Sequence, residues 1–166
     1  MRTFFFIVFG ILMVGGALTV LNRFLPDAIF GYPYDRSYIH GVPLSLEIAD
    51  TREARIQGLS GRTELRDGSG MLFIFPEDGI YGMWMKDMQF PIDILWLDAE
   101  YKIVFIKHVA TPETYPESFY SDVPARYVLE LPAGFAREHD FKIGDKLMRS
   151  SLQRPNRFLS FFDFLK

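Results

Sequence analysis

Two carboxylates stand in stretches whose apolar pattern leaves little room for charge. Asp93 lies within PIDILWL (91–97), on the alternating face of Leu95 and Leu97. Glu130 lies within ARYVLEL (125–131), on the face of Val128 and flanked by Leu129 and Leu131. Burying such a group is costly unless it is hydrogen-bonded or paired. The pair therefore has three readings: structural anchors, the polar floor of a ligand site, or two acids working across a glycosidic bond at a separation that sequence does not give.

The aromatics and methionines around them carry their own chemistry. Phe75, Tyr81, Trp84 and Trp96 supply either core or a flat platform on which sugar rings stack. Met83 and Met85 put two thioethers on one strand face, near Met71 and Met88 in sequence, and soft sulfur selects cuprous copper. The same methionines also serve as ordinary gap-fillers in an apolar core. Trp84 points opposite to Met83 and Met85, so one set is core and the other is open to exposure. His40, His108 and His139 are scattered without the spacing of a zinc site, and His108 is expected to hydrogen-bond at a sheet edge. Ser60 in GLSGR has Gly58 two residues before it but Arg62 two after, which is not a nucleophile elbow. The chain has no cysteine, which excludes thiol catalysis and cysteine metal sites. No phosphate loop or dinucleotide fingerprint is present, and no reaction or cofactor is named by these residues.

The elements that must position these side chains are mostly strands. PLSLEI (43–48) alternates, and GMLFIF (70–75), YGMWM (81–85), PIDILWL (91–97), YKIVFIKH (101–108) and ARYVLEL (125–131) are short apolar runs bounded by Gly, Pro or Asp. A last strand is expected over 146–149. Asp98-Ala99-Glu100 is short enough for a hairpin, so its two strands should be antiparallel. Asp50 and Glu53 read as a capping box for a short helix that Gly58 closes in a left-handed conformation. A helical turn is expected over 134–140. Residues 110–124 form a fifteen-residue loop with three prolines, a possible lid. The predicted fold is mainly β: a small barrel-like or strongly curled antiparallel sheet with one or two short helices, preceded by an N-terminal hydrophobic helix.

At 166 residues the chain suits one domain with flanking segments. Eight of its seventeen phenylalanines sit at the ends: Phe4, Phe5, Phe6, Phe9, Phe158, Phe161, Phe162 and Phe164. Residues 4–21 (FFFIVFGILMVGGALTVL) are uncharged and stand between Arg2 and Arg23. As a helix they would reach about 27 Å, close to a bilayer core of about 30 Å. Gly15-Gly16-Ala17 suits a cleaved signal peptide, whereas continuation through Leu18, Val20 and Leu21 suits an uncleaved anchor. Either way the rest of the chain is exported to the cell envelope, periplasmic or otherwise extracytoplasmic, with the membrane as partner through 4–21. Removing Arg2 and Arg23 leaves sixteen basic against twenty-one acidic residues, a charge of −5 that disfavours nucleic acid. The organisation read from this is 1–23 signal-anchor or signal peptide, 24–42 connector, 43–150 β domain and 151–166 C-terminal amphipathic helix. In that last segment Phe158, Phe161, Phe162 and Leu165 form one face, which either docks on the sheet or lies in the membrane interface.

Five blocks carry a family resemblance: ARIQGLSGR (54–62), GMLFIF, MWMKDMQFPIDILWLD (83–98), YVLELPAG (127–134) and IGDKL (143–147). Over about 44–150 the chain resembles the uncharacterised family called domain of unknown function 192. The resemblance implies a small, mainly β, barrel-like domain, often behind an export signal in bacteria, and no established reaction, substrate or cofactor. The 98–100 hairpin lacks the glycine common there in the family. The blocks supply Arg55, Arg62 and Lys86 as cations for Asp93 and Glu130. The expected function is a membrane-tethered envelope domain that binds a small molecule or glycan, or has an accessory role, through Arg55, Arg62, Trp84, Lys86, Asp93 and Glu130. The alternatives are a glycan-acting enzyme using Asp93 and Glu130, and a Cu(I)-handling module using Met83 and Met85.

Overall fold

A computed structural model describes residues 35–149. The segments read as signal-anchor or signal peptide and as C-terminal helix lie outside them, as does most of the connector. Strand β1 (Asp35–Ile39) turns through His40 and Gly41 into β2 (Val42–Ala49). Both turn residues have positive φ (52° and 80°), the geometry that matches the twist of a two-residue hairpin. β1 occupies part of the stretch expected as connector. DRSYI shows no apolar alternation, and pairing with β2 rather than its own pattern makes it a strand.

Helix α1 (Arg52–Gln57) follows, capped by Thr51, whose Oγ1 accepts the Ala54 N–H at 3.1 Å. The cap is therefore one residue later than the expected Asp50. Gly58 closes the helix at φ 48°, ψ −133°, a positive-φ conformation outside the left-handed helical well. Then come β3 (Ser69–Gly79), β4 (Met83–Trp84), β5 (Ile92–Leu97) and β6 (Ile103–Ala110). A 3₁₀ turn (Pro112–Thr114), β7 (Ser118–Phe119), β8 (Ala125–Pro132), α2 (Phe135–Glu138) and β9 (Met148–Arg149) complete the described chain.

Seven strands form one curled half-barrel sheet in the order β6-β5-β8-β3-β2-β1-β9, and β4 pairs with β7 separately. The sheet is not wholly antiparallel, because β2 and β3 run parallel. The nineteen residues between them, α1 included, give the crossover that a parallel pair needs. The β5–β6 hairpin is antiparallel, as its short turn requires. Asp98 Oδ1 accepts the Glu100 and Lys102 N–H groups, and Tyr101 takes φ 64° where a glycine would be usual. A bridge between Lys102 and Lys146 brings the chain entering β6 against the chain entering β9.

Both faces of the sheet are buried. On one, Leu72, Leu95, Leu97, Leu129 and Leu131 pack with Leu44, Leu46, Phe135 and Phe141. On the other, Phe73, Ile94, Trp96 and Val128 pack under Met83, Met85, Met88 and Leu59. All six residues of β5 are buried, which explains why IDILWL reads as a continuous apolar run. The 110–124 loop is tied down by the β4–β7 pairing, with Met83 opposite Phe119 and Trp84 opposite Ser118. Among the described residues no helix is long and apolar enough to cross a membrane.

Candidate functional site

Register decides where the two carboxylates point. Glu130 is flanked across the sheet by Met71 on β3 and Ile94 on β5, so it lies on the methionine-rich face. Asp93 is level with Leu131 and lies on the opposite face. The sheet separates them, so they cannot flank one scissile bond.

Asp93 is fully bonded. Its Oδ1 accepts the Val109 N–H at 2.9 Å and its Oδ2 the Ala136 N–H at 3.0 Å. Because Ile94 pairs with Lys107 and Ile92 with Ala110, His108 and Val109 together oppose Asp93 in a bulge. Val109 carries φ 49° there, and the carboxylate satisfies the amide that the bulge removes from the ladder. Asp93 thus ties β6 to the first turn of α2. The His108 Nδ1 is 3.9 Å from Asp93 Oδ2 and makes no hydrogen bond, unlike the sheet-edge bond expected of it.

Glu130 is buried and has no hydrogen bond within the described residues. Burial pushes its pKa up to about 8, against the opposing pull of the Arg62 guanidinium, so the carboxyl is largely neutral at pH 7. It borders a cavity of about 20 Å³, room for a single water. The cavity shares Arg55, Ile56, Phe73, Met83 and Trp84 with an outer cleft of about 330 Å³.

Two chain segments build the cleft and hold each other. Ser60 Oγ donates to the Lys86 carbonyl at 2.8 Å, and the Gly61 N–H donates to the Asp87 carbonyl at 2.9 Å. Gly58 must lack a side chain, since a Cβ would lie 3.3 Å from the Phe73 ring in a positive-φ backbone. These bonds join the ARIQGLSGR and MWMKDMQF blocks into one layer over Phe73. One wall is α1, where Arg52, Arg55 and Ile56 recur at i, i+3 and i+4. The other wall is β4, where Trp84 is 46% exposed and Ile56 across from it 58%. Phe73 and Phe75 of β3 form the floor.

The six expected ligand residues separate accordingly. Arg55, Trp84 and Glu130 line this cleft and its inner cavity. The Arg55 Nη1 donates to the carbonyls of Asp50 (2.6 Å) and Ile74 (2.8 Å), and its guanidinium lies 5.2 Å over Phe75. Arg62 pairs two-pronged with Glu47, Nη2 to Oε2 at 2.8 Å, holding the Glu47 carboxyl below its usual range. Lys86 is exposed and joins the layer through its backbone, and Asp93 is on the other face. Met83 and Met85 are buried in the core under this layer. Trp96 is fully buried, donating to the Tyr81 carbonyl at 2.9 Å, and Phe75 and Tyr81 stack on each other at 3.6 Å. The four aromatics therefore form no common platform, and Trp84 alone is open. Among the described residues no cluster of His, Asp or Glu could hold a metal. Arg52, Ile56 and Phe73 were not singled out as site residues by sequence. The i, i+3, i+4 face of α1 was the available signal for the first two.

Residues 36–148 match DUF192, an uncharacterized ACR family. No curated protein matches the chain. Two crystal structures share the fold. One, from Sinorhizobium meliloti 1021 and described as a "putative transcription regulator", is 32% identical with a TM-score of 0.67, over 73% of this chain and 97% of that one. The other, a protein of unknown function from Novosphingobium aromaticivorans DSM 12444, is 28% identical with a TM-score of 0.64, over 69% of this chain and 84% of that one. Two of the sequence blocks meet in the layer over Phe73, and the match runs from β1 to β9: the chain belongs to the DUF192 family.

Proposed function

We propose that this protein is a ligand-binding domain of the cell envelope, tethered to the membrane by residues 4–21, whose site is the cleft between α1 and β4. The observation that carries the binding reading is Glu130: the carboxyl of a buried residue, with no hydrogen bond among the described residues, bordering a cavity that shares Met83 and Trp84 with a cleft of about 330 Å³. Buried polar groups are nearly always bonded, and one left unbonded at the end of an apolar cleft is suited to a ligand atom or a bridging water. Export and tethering are supported by the uncharged run between Arg2 and Arg23 and by its bilayer-matched length.

Native mass spectrometry of the full chain, extracted from membranes and stripped of detergent in the gas phase, tests both parts. The expected result is an organic adduct that is lost in Trp84→Ala, on a chain whose mass includes residues 1–23. A bare wild-type chain overturns tight binding at the cleft. Recovery in the soluble cytoplasmic fraction overturns the tether.

A further inference from the structure

The cleft is unevenly charged. Its walls bring two guanidiniums, Arg52 and Arg55, and no carboxylate. The one acid behind them, Glu130, lies in the inner cavity and is largely neutral at pH 7. Arg55 spends its Nη1 on carbonyl oxygens, which fix its position without neutralising its charge. Arg52 is exposed and makes no ion pair among the described residues. Arg62, by contrast, already has Glu47. The whole chain carries −3, so this local excess of positive charge runs against the protein's average.

Beside and across from the two cations the exposed surface is apolar. Trp84 and Ile56 face the opening, and the rings of Phe73 and Phe75 lie below them. A tryptophan face alone would attract a cation, but two guanidiniums beside it repel one. A guanidinium fork matches a carboxylate in shape and charge. Resting on the binding reading above, we propose that the cleft takes a flat, apolar organic monocarboxylate, with its ring system against Trp84 and Ile56 and its carboxylate at Arg52.

Three isosteric probes separate the possibilities: 2-naphthoate, the neutral 2-naphthamide and the cationic 2-naphthylmethylammonium. Each is titrated calorimetrically into full-length protein in lipid nanodiscs, with empty nanodiscs subtracted. The proposal expects 2-naphthoate to bind about tenfold or more tighter than the amide, as one charge-assisted contact gives. Arg52→Gln should reduce 2-naphthoate to the affinity of the amide and leave the amide itself unchanged, with an unaltered thermal midpoint. Trp84→Ala should weaken both. If the probes bind in a Trp84-dependent way with equal affinity, or the ammonium binds best, the anion assignment is overturned and the cleft stands. If no probe binds, or binding ignores Trp84→Ala, the cleft itself is not the site and both readings fall.

Discussion

Asp93 and Glu130 are buried carboxylates on adjacent strands and opposite faces of the sheet, and their difference lies in their partners. Asp93 receives two backbone N–H groups and fastens a bulge to a helix. Glu130 receives none, and its pKa rises from 4.5 to about 8. The native state therefore holds a proton that the unfolded chain releases between those values. The sign follows: stability is highest below about pH 4.5 as far as this group is concerned, and is lost as pH rises toward 8. At ~1.4 kcal/mol per unit the loss is on the order of 3–5 kcal/mol. Thermal unfolding from pH 5 to 9 should show the midpoint falling in the wild type, while Glu130→Gln stays nearly flat; parallel profiles would refute the assignment. Asp93→Ala strands one buried and one part-buried donor and should lower stability by about 2–4 kcal/mol in urea titrations, with Asp93→Asn losing less. Sequence placed each acid on the correct side of its own strand, Asp93 with Leu95 and Glu130 with Val128. Which side of the sheet that became depended on the β5–β8 register, a non-local property that no local pattern encodes.

At the scale of elements, the site is a layer of turns laid over a strand face. Its strength is concentrated in a few bonds between the 58–62 turn and the 85–88 turn. Ser60→Ala removes the hydroxyl that holds the Lys86 carbonyl and should cost about 1 kcal/mol of stability. Because that bond also sets the separation of α1 from β4, the same variant should weaken 2-naphthoate binding several-fold, whereas a role in stability alone would leave affinity unchanged. Strands with strong apolar runs were legible: β5 falls within the segment that sequence marks as a strand, β3, β6 and β8 overlap theirs and run past the C-terminal end, and the 98–100 turn gives its hairpin. The weak ones were not. β1 and β7 are short polar or mixed segments that become strands only by pairing with β2 and β4. The parallel β2–β3 pair was hidden for a similar reason, since alternation in PLSLEI shows a buried face and nothing of the partner's direction. The cleft itself was half legible: Arg55, Trp84 and Glu130 were marked by type, but only folding brings α1 opposite β4.

For the whole molecule, charge and hydrophobicity are divided along the chain. Residues 4–21 carry no charge, and everything after Arg23 sums to −5. An anionic bilayer surface repels a domain of that sign, so the net charge of the folded part supplies no attraction. The described domain covers both faces of its sheet with its own two cores. Under the tethered reading proposed above, attachment rests on 4–21, with one competitor: the 151–166 segment, which holds Arg154, Arg157 and Lys166 against a single acid, Asp163, beside its row of phenylalanines. Co-sedimentation of a 24–166 chain with vesicles of mixed anionic lipid separates the two. If 151–166 docks on the domain, the shortened chain stays in the supernatant at both low and physiological salt. If it pellets at low salt and is released as salt rises, 151–166 lies in the interface and the protein holds the membrane at both ends. Phe161→Ser with Phe162→Ser then gives the confirming reversal, returning the pelleted chain to solution under the interfacial reading.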